Sequence, residues 1–143
     1  MQNSDVENYL VSYLLAVSYA EIEEKIKTIL ERRSSKSNDK HVSQYIISNH
    51  KNNTGRIAIS DITSLLARFG DDYKMVFMGS VLNKPTHAAW DNIILNRHKV
   101  THGSGVIEMT ILEFEKALQG SKDTLIELAN AFSLTLSEIS DLI

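Results

Sequence analysis

The sequence predicts an all-α protein, an up-and-down (antiparallel) bundle of four to five helices in a single domain over residues 1–143. Three observations carry this prediction. Apolar residues recur at helical spacing in the long segments, as in Leu10, Leu14 and Val17. Serine, threonine, glycine and the one proline fall where helices should start and stop. No segment alternates apolar and polar residues between turn dipeptides, apart from a weak stretch at residues 56–59. At 43% hydrophobic and 23% charged residues, the chain carries enough apolar material for a real core.

Taken in order, the first helix is predicted over residues 5–33, where Leu10, Leu14 and Val17 make one stripe and Ile22, Ile26 and Ile29 carry helical periodicity further on. Residues 34–39 are polar and turn-rich and read as a loop. A shorter helix with Val42, Tyr45 and Ile46 follows, then a second loop at residues 50–55. Ser60 reads as the N-cap of a helix carrying Ile62, Leu65, Leu66 and Phe69, which Gly70 ends. A short helix is predicted over residues 75–82. Pro85 at the first helical position, or Thr86 as N-cap, opens the next one, which runs to His102 and breaks at Gly103-Ser104-Gly105. Thr110 and Glu113 have the spacing of a capping box ahead of Phe114, Leu118, Ser121, Leu125, Leu128 and Phe132. Thr135 and Glu138 repeat that spacing before a short last helix.

The net charge of −3 excludes a chain that coats nucleic acid by charge alone, so any such contact is expected at one local basic spot. With no cysteine, disulfides, thiolate zinc sites and a cysteine nucleophile are all excluded. The first residues lack the basic segment and apolar core of a secretory signal. Apolar runs such as Tyr13-Leu14-Leu15-Ala16-Val17 are too short to span a bilayer. The expectation is a cytoplasmic protein that does not engage membranes.

Chemistry concentrates in Arg97-His98-Lys99-Val100-Thr101-His102-Gly103. At about 100° per residue, Arg97 and Thr101 fall within the stripe of Trp90, Ile93 and Ile94, while His98 and His102 share one flank. An arginine stands where periodicity asks for leucine or isoleucine, and arginine is almost never buried without a partner. Either the core ends there in a polar cleft, or Arg97 pairs with a carboxylate. Extending the Leu10, Leu14, Val17 stripe leads to Glu21, with Glu24 one turn on, as the candidate acids. The alternative leaves both on a solvated face.

The histidines admit three readings. A protonated histidine is favoured at a helix C-terminus, so His102 could serve as a cap. A pair at i and i+4 can bind metal, although the usual His-Glu-x-x-His acid is missing. Proton transfer beside a phosphate also suits a group that titrates near neutrality. Elsewhere, His87 reads as an exposed residue near the helix start, and Tyr9, Tyr13 and Tyr19 as core or interface aromatics. Arg56, Lys84 and Lys99 are candidates for a phosphate-binding rim.

The pattern Ala89-Trp90, Asn96-Arg97-His98, Thr101-His102-Gly103 resembles the signature of the HEPN superfamily, most closely its RiboL-PSP and MAE-type branch. That signature is an arginine, a polar residue, a few spacers and a histidine late in a bundle helix. The resemblance extends to residues 13–24 and 60–70, and its specific part is the R-H-x-x-x-H-G core. It implies a helical bundle that dimerises, with arginine and histidine from two chains meeting in one composite cleft. It also implies metal-independent cleavage of RNA without a cofactor. Arg97 would hold the scissile phosphate, His102 would act as general acid or base, and His98 would orient one of them. Beside these, and on their positions in this sequence rather than on the resemblance, Glu21, Glu24, Lys99 and Thr101 are expected to bind substrate or support the site. The products implied carry 2′,3′-cyclic phosphate ends.

The setting implied is a toxin or antiphage defence effector with a cognate antitoxin or regulatory protein. Toxins of this superfamily often carry a tyrosine two residues after the histidine, where modification silences them; this chain has Ser104 there, which removes that route of control. Two other readings compete with ribonuclease. One is a non-catalytic HEPN module for dimerisation or for binding a nucleotide or protein. The other is a plain bundle in which Arg97 and the histidines are structural.

Overall fold

The computed structural model describes residues 5–50, 57–82, 84–103, 107 and 109–143, except for the side chain of His102. Seven α-helices and a closing 3-10 turn are present among them: α1 (Asp5–Ser34), α2 (Lys40–His50), α3 (Ile59–Phe69), α4 (Asp71–Val81), α5 (Pro85–His102), α6 (Ile111–Ala131) and α7 (Leu136–Ile139). The predicted bundle is formed by α1, α3, α4, α5 and α6. In it α6 packs on α1, α4 and α5, while α3 packs on α4 and α5. The short α2 lies along α1 without burying any of its own residues, and α7 is one turn.

Local chemistry sets the boundaries. Asp39 receives the His41 and Val42 amides on its carboxylate at 2.9 and 3.3 Å and so caps α2. Pro85 occupies the first turn of α5, where its missing amide costs nothing, and Gly103 ends that helix at φ +59°. Thr110 and Glu113 cap α6 reciprocally at 3.1 and 2.8 Å, and Thr135 and Glu138 do the same for α7. Two expected helix starts need correction. Ser60 is not a cap: α3 starts two residues earlier than a Ser60 cap requires, behind Ala58, whose amide donates to the Asp61 carboxylate at 3.2 Å. The segment expected at residues 75–82 begins at Asp71, because Gly70 at φ +152° turns the chain straight from α3 into α4. The weak strand at 56–59 does not form where the structure describes it, since Ile59 opens α3. The loop expected at residues 50–55 and the Gly103-Ser104-Gly105 break lie largely outside the described residues.

The core gathers Leu15, Ile29, Leu66, Phe77, Trp90, Leu128 and Phe132, each nearly or wholly inaccessible. Trp90 is its anchor. Its indole Nε1 donates to the Ile57 carbonyl at 2.6 Å, which ties the entry of α3 to α5. At the other end, Arg32 forks onto both oxygens of Asp141 at 2.7 and 2.6 Å and clamps the C-terminus onto α1.

The rotation of α1 differs from expectation. Its buried face is Val11, Leu15, Ser18, Ile22, Ile26 and Ile29. Leu10 and Val17 are exposed, with Val6, Tyr9 and Tyr13 beside them. The first half of α1 is apolar nearly all round, so periodicity alone could not choose between two stripes. Packing chose the one about 100° away from Leu10 and Val17. No helix among the described residues is long and apolar enough to cross a membrane.

Candidate active site

The side chain that faces the bundle interior from the second half of α5 is Asn96, not Arg97. Trp90, Ile93 and Asn96 are each at most 2% exposed, and the Asn96 amide donates to the Asn92 carbonyl at 2.9 Å. Arg97, one position round the helix, is half-buried at the edge of this face. There it lines a cleft of about 330 Å³ between α1 and α5. Ala16, Tyr19, Ala20 and Glu23 form the α1 wall, and Ile94, Arg97, His98 and Thr101 the α5 wall.

What holds Arg97 is an aromatic ring. Its guanidinium carbon lies 5.2 Å from the centroid of Tyr19, within the range where a cation gains from the negative face of a ring. No carboxylate pairs with it among the described residues, and its Nε is buried without a hydrogen-bond partner. Burial pushes the Tyr19 hydroxyl above its ordinary value of 10.0, the Glu23 carboxylate adds to this, and Arg97 opposes it. The phenol therefore stays neutral at physiological pH. Arg97 is left with a net positive charge facing the cleft and with donors to spare.

The other sequence candidates divide. His98 is exposed on the α5 wall of the cleft. Thr101 lines it too, but its hydroxyl donates back to the Arg97 carbonyl at 3.0 Å, which makes it a helix-end residue rather than a free donor. The backbone of His102 completes α5 one turn beyond His98, and its side chain lies outside the described residues. Glu21 and Glu24 do not reach Arg97. Both are exposed and paired along α1, Glu21 with Lys25 at 3.2 Å and Glu24 with Lys27 at 2.9 Å. Glu21 and Glu24 extend the Leu10 stripe, and because α1 buries the neighbouring one, the acid in the cleft wall is Glu23. Lys99 is half-buried and is not part of the cleft wall, as expected for a residue about 200° round α5 from Arg97. His87 pairs with Asp91 at 3.0 Å near the start of α5. Arg56 lies outside the described residues, and Lys84 is exposed just before α5.

Tyr19 and Glu23 are the residues that the motif alone does not reveal. They sit four apart on α1, beside the buried Ser18 and Ile22. The signal that finds them is the true buried stripe of α1. Among the described residues no group of three histidines and carboxylates is arranged to hold a metal ion.

A cation with an aromatic backing and no paired anion among the described residues, next to a histidine on one helical turn, is an arrangement suited to a phosphodiester. No curated protein and no solved structure matches the chain. A protein-family model does, over residues 1–134. The chain belongs to the RiboL-PSP-HEPN family.

Proposed function

We propose that this protein is a metal-independent endoribonuclease of the HEPN type, in which Arg97 binds the scissile phosphate. The observation that carries the reading is the guanidinium of Arg97, without a carboxylate partner among the described residues and held at 5.2 Å by Tyr19 on the wall of an open cleft. A desolvated cation without an anion is costly unless a ligand supplies one. A phosphate does so, and charge developing on its oxygens in the transition state strengthens the contact.

In the reaction, the ribose 2′-oxygen attacks phosphorus and the bond to the 5′-oxygen breaks. His102 accepts the proton of the 2′-hydroxyl or returns one to the leaving 5′-oxygen. The products are a 2′,3′-cyclic phosphate and a free 5′-hydroxyl. His98 orients the phosphate or the working imidazole. One chain offers one such set, so a second copy supplies the partner acid or base in a composite site. The exposed stripe Val6, Tyr9, Tyr13 and Val17 on α1 supports that assembly. It borders Ala16 and Ala20 in the cleft wall, so a copy seated there stands beside the Arg97 cleft. The physiological setting proposed is a toxin or antiphage effector restrained by a cognate antitoxin or regulatory protein.

The test is incubation of total RNA with purified protein in the presence of chelator, with end mapping. Wild type should leave cyclic phosphate ends. Arg97→Ala should lose about 10²- to 10³-fold in rate and His102→Ala about 10²- to 10⁴-fold, both still folded. Intact RNA at every protein concentration overturns the reading in favour of a non-catalytic HEPN module for dimerisation or ligand binding.

A further inference from the structure

A second cleft, of about 300 Å³, opens between α1 and α3, and Glu23 lines both clefts. Nothing in the proposed cleavage uses it. Its floor is apolar, built from Ile26, Leu30, Ile57, Ile62 and Leu65, and its rim is charged. Two carboxylates, Glu23 and Asp61, and two cations, Lys27 and Arg68, face the same space. An apolar floor with a few converging polar groups, at the lower end of the usual size range, is the general form of a small-ligand site.

The rim groups keep free capacity. Asp61 spends Oδ2 on the Ala58 amide at 3.2 Å, which leaves Oδ1. Lys27 is 2.9 Å from Glu24 and a longer 3.8 Å from Glu23. Arg68 is exposed and makes no ion pair among the described residues. His50 closes one side, half-buried and stacked on Phe69 with centroids 6.0 Å apart. Burial, helped by the charge of Arg68, holds its imidazole below the ordinary 6.5, so the ring is uncharged at neutral pH. The two clefts are also electrostatic neighbours. The Tyr19 hydroxyl, in the wall of the first, feels both Glu23 and Asp61 of the second.

We infer that the α1–α3 cleft seats a guanine base of the RNA beside the phosphate held at Arg97, an inference that rests on the ribonuclease reading above. Guanine is the base whose edges match this rim. Its N1–H and N2–H donate side by side to one carboxylate, and its O6 and N7 accept from a lysine or arginine. Adenine and cytosine present a single amino group to a carboxylate. Uracil flanks its one donor with two carbonyls, which the carboxylates repel. Single-stranded RNA can splay a base out and be read on just these edges, and the isoleucine and leucine floor offers the ring face an apolar surface. The carboxylates that receive the base would repel a second phosphate, so the phosphate stays at Arg97 and the base at Glu23 and Asp61.

The test has two arms on the full chain. The four nucleosides, which lack phosphate, are titrated by calorimetry and by amide chemical-shift mapping. Short RNAs that differ only in the base next to the cut are then cleaved in competition. Guanosine should bind, shift amides of α1 and α3, and lose binding in Arg68→Ala and in Ser64→Trp, which fills the cleft. RNAs with guanine at that position should be cut about tenfold faster than the others, and the same variants should bring that ratio toward one. Cleavage with no base preference and no guanosine binding overturns the inference and leaves the ribonuclease reading standing. Guanosine binding lost in Arg68→Ala, without any RNA cleavage, upholds the guanine site and overturns the ribonuclease reading. Equal binding of all four nucleosides overturns the guanine assignment. A thermal melt of each variant separates loss of binding from loss of fold.

Discussion

Arg97 shows how much of a site one side chain can carry. On a helical wheel it falls among apolar residues, and that placement correctly marks it as a residue whose burial needs an explanation. The explanation was not legible, because it lies on another helix. Tyr19 supplies a ring instead of a carboxylate, and an aromatic partner leaves no charge signature in the sequence. A cation over a ring keeps its full charge for a ligand, whereas an ion pair would neutralise it. Tyr19 is therefore a positioning residue, and its ring matters more than its hydroxyl. Tyr19→Phe should retain RNA cleavage and Tyr19→Leu should lose about 2- to 30-fold, the range expected from a contact of about 0.5–2 kcal/mol. The loss should fall on kcat/KM, with the pH profile unchanged. Equal losses for Phe and Leu would assign the effect to the hydroxyl instead.

Among the elements, α1 was the least legible and α6 the most. In α6 the capping box and the run Phe114, Ser121, Leu125, Leu128 point to one face, and that face is buried. In α1 the residues from Tyr9 to Val17 offer two apolar stripes, and nothing local separates core from surface. The stripe that packing left outside gives a test. Tyr13 is 66% exposed, and Tyr13→Glu should leave the melting temperature nearly unchanged while converting a dimer to a monomer in light scattering. A wild type that is monomeric at all concentrations refutes the composite site. The other end of α1 carries a pH-sensitive clasp. Hydrogen bonding to Arg32 holds the Asp141 carboxyl below its ordinary 3.8, and Lys36 together with the Thr135 amide does so for Glu138. Carboxyls whose acidity rises on folding stabilise above their unfolded values and lose that contribution as pH falls through the folded ones. Arg32→Gln should therefore speed amide exchange of the last residues at neutral pH. Wild type and variant should converge only once pH has fallen below the lowered folded-state range of Asp141, where that carboxyl is protonated in either state.

At the scale of the whole molecule, the cleft depends on how closely α5 and α6 approach. Gly120, in the middle of α6, is a point of close approach between them. A Cβ built on it would lie 2.6 Å from the Ala89 Cβ on α5, closer than side-chain carbons can stand. Gly120 therefore fixes the separation of the two helices and, through α5, the placement of Arg97 against Tyr19. Two effects of Gly120→Ala oppose each other. Alanine favours the helical backbone by about 1 kcal/mol relative to glycine. Overpacking a tight contact costs about 1–3 kcal/mol, and here both atoms sit on helix backbones that cannot swing aside like a long side chain. Overpacking should win, so Gly120→Ala should lower stability by up to about 2 kcal/mol in denaturant melts. It should also reduce RNA cleavage under native conditions, although Gly120 is no part of the Arg97 cleft. Ala89→Gly removes the other half of the clash, so the double variant should recover cleavage even where it does not recover all of the stability. A Gly120→Ala protein as stable and as active as wild type would show that α5 and α6 can separate without moving the cleft.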